Sequence, residues 1–142
     1  YYARDAGGHN RLYPAALHVL EYFKGRVQAI LTDRPNPFAK DLIEALGVSR
    51  YFVSLVTGDS PYPRKPDPSG LRALIAEAQV TPEDTLLIGD SPLDIEAGRR
   101  AGVFTIAVSH GMSPASALCT AAPDVLINDL VQLLQLVSQN DW

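Results

Sequence analysis

Short apolar runs rich in β-branched residues recur along the chain at 27–32, 52–56, 85–88, 104–108 and 125–127. Two or three apolar residues follow one another in each, without strict alternation. That pattern suits strands buried on both faces, as in a parallel sheet. Helical spacing fills the intervals. Leu71, Leu74, Ile75 and Ala78 fall on one apolar stripe, and Leu130, Leu133, Leu134 and Val137 repeat the same spacing. Asn36-Pro37 and Asp67-Pro68 predict helix starts, each a capping side chain followed by proline at the first helical position. Gly47 and Gly102 predict helix ends. Strand alternating with helix predicts the α/β class, a doubly wound parallel sheet covered by helices on both faces. The opening residues 1–10 contain Gly7-Gly8 and no strand pattern, which predicts a helix end or linker.

Ligands of open parallel sheets bind at the carboxyl ends of the strands. The polar residues there are Thr32-Asp33, Thr57-Gly58-Asp59, Gly89-Asp90 and Ser109-His110. After the apolar run 86–88, Asp90 is followed four residues later by Asp94, and Gly89 would let the backbone approach a ligand closely. Two carboxylates at a strand tip can ligate a hard cation such as Mg²⁺, which takes few carboxylates and completes its shell with water and phosphate oxygens. Ser91-Pro92-Leu93-Asp94 also fits a capping box. Capping would account for Asp94 and leaves Asp90 unexplained. Lys65 precedes Pro66 on a stiff segment and could aim an ammonium group into a cleft, the alternative being a solvated loop lysine. Thr32 and Asp33 lead into a helix start, where a hydroxyl and backbone N–H groups suit a phosphate. A threonine ending a strand is also common.

Composition narrows the partners. The 142 residues suit one domain, and 12 Lys+Arg against 16 Asp+Glu give a net charge of −4. That sign argues against a nucleic-acid partner. No apolar run is long enough for a membrane span. The single cysteine, Cys119, excludes an intrachain disulfide and a cysteine-built zinc site, and is expected as a small core residue. A compact cytoplasmic domain is the expectation. His9, His18 and His110 lack metal-like spacing and are expected to be structural or solvated, with His110 placed where it could face the cleft. Arg99-Arg100 are expected on a solvated helix face, and Arg34 either assists with phosphate or flanks its loop.

Taken together, Tyr13-Pro14, the run Ala29-Ile30-Leu31-Thr32-Asp33-Arg34-Pro35, Val56-Thr57-Gly58-Asp59-Ser60, Lys65-Pro66-Asp67-Pro68 and Gly89-Asp90-Ser91-Pro92-Leu93-Asp94-Ile95 resemble the haloacid dehalogenase-like (HAD) superfamily of phosphohydrolases. The resemblance spans nearly the whole chain and is nearest to the phosphoglycolate phosphatase-like branch. It implies that Thr32, with Asp33, holds phosphoryl oxygens, and that Lys65 stabilises the nucleophile and the charge around the reacting phosphate. It implies Mg²⁺ on Asp90, with Asp94 helping directly or through water. The implied substrate is a small phosphorylated metabolite, and the implied activity is phosphomonoester hydrolysis.

One element of the family pattern is missing. The family's nucleophile is the first Asp of an Asp-x-Asp motif on a central strand. It forms an aspartyl-phosphate while the second Asp serves as acid and base. No such motif occurs here. The resemblance places that strand between those ending at Thr32 and Asp90, so the parallel sheet is expected to be incomplete. Orphaned buried amides cost about 1–3 kcal/mol each, against about 5–15 kcal/mol of net stability. An empty central slot therefore argues against a stable monomer. Residues 1–12 are expected to be a cap-domain remnant and linker, and 13–142 the carboxyl-terminal portion of the core of a longer, Mg²⁺-dependent phosphatase, inactive by itself. The alternatives are a non-catalytic module of the same fold, its slot filled by strand exchange between copies, and a phosphomutase or pyrophosphatase of the same branch. A signalling receiver domain is disfavoured, because its acidic pair precedes the Thr and Lys.

Overall fold

The structure is a computed structural model that describes residues 2–4, 10–12, 15–109, 113–140 and 142, the first two segments in backbone only. His9, His110 and Tyr13-Pro14 lie outside the described residues. The order of elements is β1 (Tyr2–Arg4), β2 (Asn10–Leu12), α1 (Ala16–Tyr22), β3 (Ala29–Leu31), α2 (Phe38–Ala45), β4 (Ser54–Val56), α3 (Ser69–Glu77), β5 (Leu86–Gly89), α4 (Pro92–Ala101), β6 (Phe104–Val108), α5 (Ala115–Thr120), β7 (Val125–Ile127) and α6 (Leu130–Gln139).

From β3 onward strand and helix alternate, and every strand pair is parallel. The α/β architecture follows from the apolar runs as expected. The sheet, however, is divided. β3 pairs with β4, and β5, β6 and β7 form a separate sheet in that order. Among the described residues no ladder joins β3 to β5, so each keeps one flank unpaired. Burial records the difference: β6, flanked on both sides, is buried from Thr105 to Val108, whereas β5 is only half-buried along its length.

Helices hold the halves together. Leu71 and Ile75 of α3 pack with Ala101 and Val103 at the end of α4, and Leu31 of β3 and Leu87 of β5 close against this cluster from either side. A larger core lies on the other side of the three-stranded sheet, where Val19 of α1 meets Ile106, Val108, Leu130, Leu133 and Val137. Of the stripes foreseen for α3 and α6, Leu71, Leu74, Ile75, Leu130, Leu133 and Val137 are buried, while Leu134 and Ala78, the latter just past α3, are half-buried. β6 and β7 are further clasped by Asp124, whose carboxylate accepts from the amide of fully buried Thr105 at 2.7 Å, while the Asp124 amide donates back to the Thr105 hydroxyl at 3.1 Å.

Three expectations are corrected. Residues 2–4 and 10–12 form an antiparallel hairpin, with Ala3 opposite Arg11, in place of a helix end or linker. Helices α2 and α3 begin one residue later than their prolines suggest. Pro37 and Pro68 occupy the cap position, while Asn36 and Asp67 still accept, from the amides of Lys40 and Ser69. Cys119 is exposed, because it faces outward on short α5, where Leu118 takes the buried position. Gly47 and Gly102 do take left-handed φ values of 73° and 78° after their helices. Arg99 and Arg100 lie exposed on α4, and His18 is exposed on α1.

Candidate active site

Three loops leave the carboxyl ends of β3, β4 and β5. The β3 loop carries Thr32 and Asp33. Thr32 donates its amide to the carbonyl of Val56 at 2.9 Å, which keeps it in register with β4 for one residue beyond the ladder. Its Oγ1 accepts from the Arg34 amide at 3.2 Å. The hydroxyl proton therefore remains a donor for an incoming oxygen. Asp33 accepts from the amide of Lys65 through Oδ1 at 3.4 Å. Arg34 turns outward over the ring of Phe38, its Cζ 5.8 Å from the centroid.

The β4 loop delivers Lys65. Its side chain crosses to the other half-sheet, where Nζ makes a salt bridge to Oδ1 of Asp94, both side chains only 12% exposed. The second oxygen of Asp94, Oδ2, accepts from the amides of Asp90 and Ser91, each at 3.2 Å. The Asp94 amide completes a capping box by donating to Ser91 Oγ. The capping reading and a site role thus coexist at Asp94, but both of its oxygens are already engaged. Gly89 has a different use from close approach of a ligand: a Cβ there would lie 2.4 Å from that of Asp94, so its missing side chain makes room for this carboxylate.

Asp90 follows directly on β5, half-buried. None of the described residues donates to its carboxylate. Thr32, Asp33, Lys65, Asp90 and Asp94 are thus gathered at the same end of the parallel strands. Lys65 links directly to Asp33 and Asp94, while Thr32 and Asp90 stand on either side of the division in the sheet. Among the described residues no group of three or more His, Cys, Asp and Glu side chains could hold a metal ion. The donor set still fits Mg²⁺, which takes one or two carboxylates and draws its other ligands from water and phosphate. Asp90 has the free oxygens for such an ion.

Sequence reasoning passed over the part played by Asp59. Its Oδ1 accepts from the Asn36 amide at 3.0 Å and from the Thr57 hydroxyl at 2.6 Å. The Thr57 hydroxyl, and after it the Asn36 amide, hold this carboxyl below the usual aspartate range. The available signal was its place at a strand end beside Thr57.

A divided parallel sheet, with polar loops, a lysine–aspartate pair and an unengaged carboxylate at its carboxyl edge, places the chain in the α/β class. Solved structures agree on the fold. A predicted phosphoglycolate phosphatase of Haemophilus somnus superposes with a TM-score of 0.84 at 27% identity, covering 90% of this chain and 58% of that one. A Thermotoga maritima protein provisionally named a β-phosphoglucomutase gives 0.82 at 26% identity, covering 91% and 62%. The family model for haloacid dehalogenase-like hydrolases matches residues 1–102. The chain belongs to that family. The phosphoglycolate phosphatases of Vibrio parahaemolyticus and Escherichia coli are 30% and 32% identical over 140 and 141 residues. The chain spans 61% and 56% of their lengths, against 97% and 96% of its own. No described helix is long and apolar enough to cross a membrane.

Proposed function

We propose that the chain is the substrate-phosphate and metal half of a phosphomonoesterase that acts on a small, anionic phosphorylated metabolite of the phosphoglycolate kind. The observation that carries this reading is the Lys65–Asp94 pair at the mouth of the division between the half-sheets, with Thr32 on one side and Asp90 on the other. Thr32 would donate its hydroxyl to a phosphoryl oxygen, aided by the Asp33 amide, because the Thr32, Arg34 and Asn36 amides already have acceptors. Lys65, held by Asp94, would place a fixed positive charge beside the phosphate and the attacking carboxylate, where a preorganised charge is worth most. Asp90 would hold Mg²⁺, with Asp94 acting through water because Lys65 and two backbone amides occupy its oxygens. The ion would neutralise charge on the phosphoryl oxygens.

The attacking carboxylate is not among these residues. An apolar strand parallel to β3 and β5 and ending in that carboxylate would pair both open flanks and deliver the nucleophile between Thr32 and Asp90. Without it, the residues present bind and polarise a phosphate ester but open no bond. A cytoplasmic setting, where thiols stay reduced, suits the lone exposed Cys119.

The test is hydrolysis of a panel of phosphate monoesters, 2-phosphoglycolate among them, by the protein expressed from its intact gene, with and without Mg²⁺. Turnover is expected to vanish on chelation and to fall by about two orders of magnitude or more in Asp90→Asn. The 142-residue chain alone is expected to give none. Hydrolysis indifferent to chelation and to Asp90→Asn would remove the metal assignment, and turnover by the chain alone would remove the need for a further strand.

A further inference from the structure

The phosphate role proposed for Thr32 falls on a segment without regular structure, so its shape has to be imposed from outside. The β4 loop does this at three points. Gly58 donates its amide to the Arg34 carbonyl at 2.9 Å, at a place where a Cβ would come within 2.0 Å of the Asp33 carbonyl oxygen. Lys65 donates its amide to Asp33. Asp59 provides the third point, through its side chain.

We propose that Asp59 is a positioning residue that holds the segment from Thr32 to Asn36 in the conformation that receives a phosphoryl group; this rests on the phosphatase reading above. Its Oδ1 takes the Asn36 amide at 3.0 Å, and Asn36 passes the constraint into α2 by accepting from Lys40 through its own Oδ1 at 3.3 Å. Asp59 is itself exposed, and its rotamer is set from within. Thr57, 5% exposed, donates its hydroxyl to the same Oδ1 at 2.6 Å. Thr57 in turn is locked by its amide to Ser60 Oγ at 2.9 Å and by the Ser60 amide to its carbonyl at 3.1 Å. A chain of contacts therefore runs from a buried hydroxyl through Asp59 and Asn36 to the helix behind the loop. A carboxylate makes the stronger acceptor for this purpose, and site geometry depends on such supports.

The experiment uses the protein from its intact gene and compares D59A, D59N and T57V. Losing the acceptor in D59A should raise KM for the ester, and Ki for inorganic phosphate, about tenfold. The change in kcat should be smaller, because a loop that grips the phosphate in ground and transition states alike acts mainly on binding. D59N keeps an acceptor oxygen and should restore KM to within about threefold of the wild type. T57V keeps the Asn36 contact and should show a smaller rise than D59A. An unchanged KM in D59A, or D59N as damaging as D59A, overturns the proposal. If the wild type hydrolyses no ester, the phosphatase reading fails by itself, and amide exchange at Asn36 then decides: faster exchange in D59A supports the brace, and unchanged protection refutes it.

Discussion

Asp94 carries several tasks at one side chain. It is 8% exposed, caps α4, receives two amides and balances Lys65. Replacing it with alanine leaves a poorly solvated ammonium without its partner, a change that typically costs about 3–5 kcal/mol. Against about 5–15 kcal/mol of total stability, that is enough to threaten the fold. Asp94→Ala is therefore expected to lower the denaturant midpoint steeply, and Lys65→Met combined with it should recover part of the loss. Urea titration of both variants measures the effect, and an Asp94→Ala midpoint equal to the wild type would refute the role of the pair. Much of this residue-level arrangement is legible in the sequence. Thr32 and Asp90 can be picked out as polar residues at strand tips, Lys65 on the stiff segment before Pro66, and Asp94 four residues after Asp90. What spacing alone cannot give is the pairing of Lys65 with Asp94 across a division in the sheet, because that contact depends on how two half-sheets dock.

At the level of elements, the long periodic segments announce themselves, and the short ones do not. The stripes on α3 and α6 and the apolar run of β6 carry enough apolar side chains to fix both type and facing. β1 and β2 have three residues each, Tyr-Ala-Arg and Asn-Arg-Leu, with no run of β-branched side chains between them. Their pairing is decided by backbone hydrogen bonds that leave no mark in composition. Helix starts slip by a residue for a related reason: proline at the cap and proline at the first helical position satisfy the same constraint on φ. One element start carries visible strain. Ala15, at the cap of α1, has φ of 67°, a left-handed conformation that costs a residue with a Cβ about 1 kcal/mol or more. Ala15→Gly should remove most of that cost and raise Tm by about 2–4 °C. Calorimetry would show it, and a lower Tm would mean that the extra chain entropy of glycine outweighs the relief.

Over the whole molecule, several carboxyl groups are poised to lose their contribution in acid. Asp59 is lowered first by the Thr57 hydroxyl, Asp67 first by Ser69, and Glu21 first by Tyr51. A group whose folded value lies below its unfolded one stabilises the fold at neutral pH. That contribution fades as pH falls from the ordinary values of 3.8 for the aspartates and 4.5 for the glutamate toward the lower folded ones. Stability should therefore be nearly flat from pH 7 to about pH 5 and decline below it. Because hydrogen bonds come first for all three groups, and Asp59 has no charged partner among the described residues, the decline should change little with added salt. Denaturation followed across pH at two salt concentrations tests both points, and a rise in stability below pH 4 would contradict the sign. The division between β3 and β5 bears on a different property, the order of events. Two jaws joined along α3 and α4 can each pair their strands from nearby residues, but the strand that would unite them must arrive parallel to both, and parallel pairing across long stretches of chain is slow. Such a strand would act as a keystone. Closing the arch and arming it would be one event, so half-built molecules would have no means of cutting a phosphate ester.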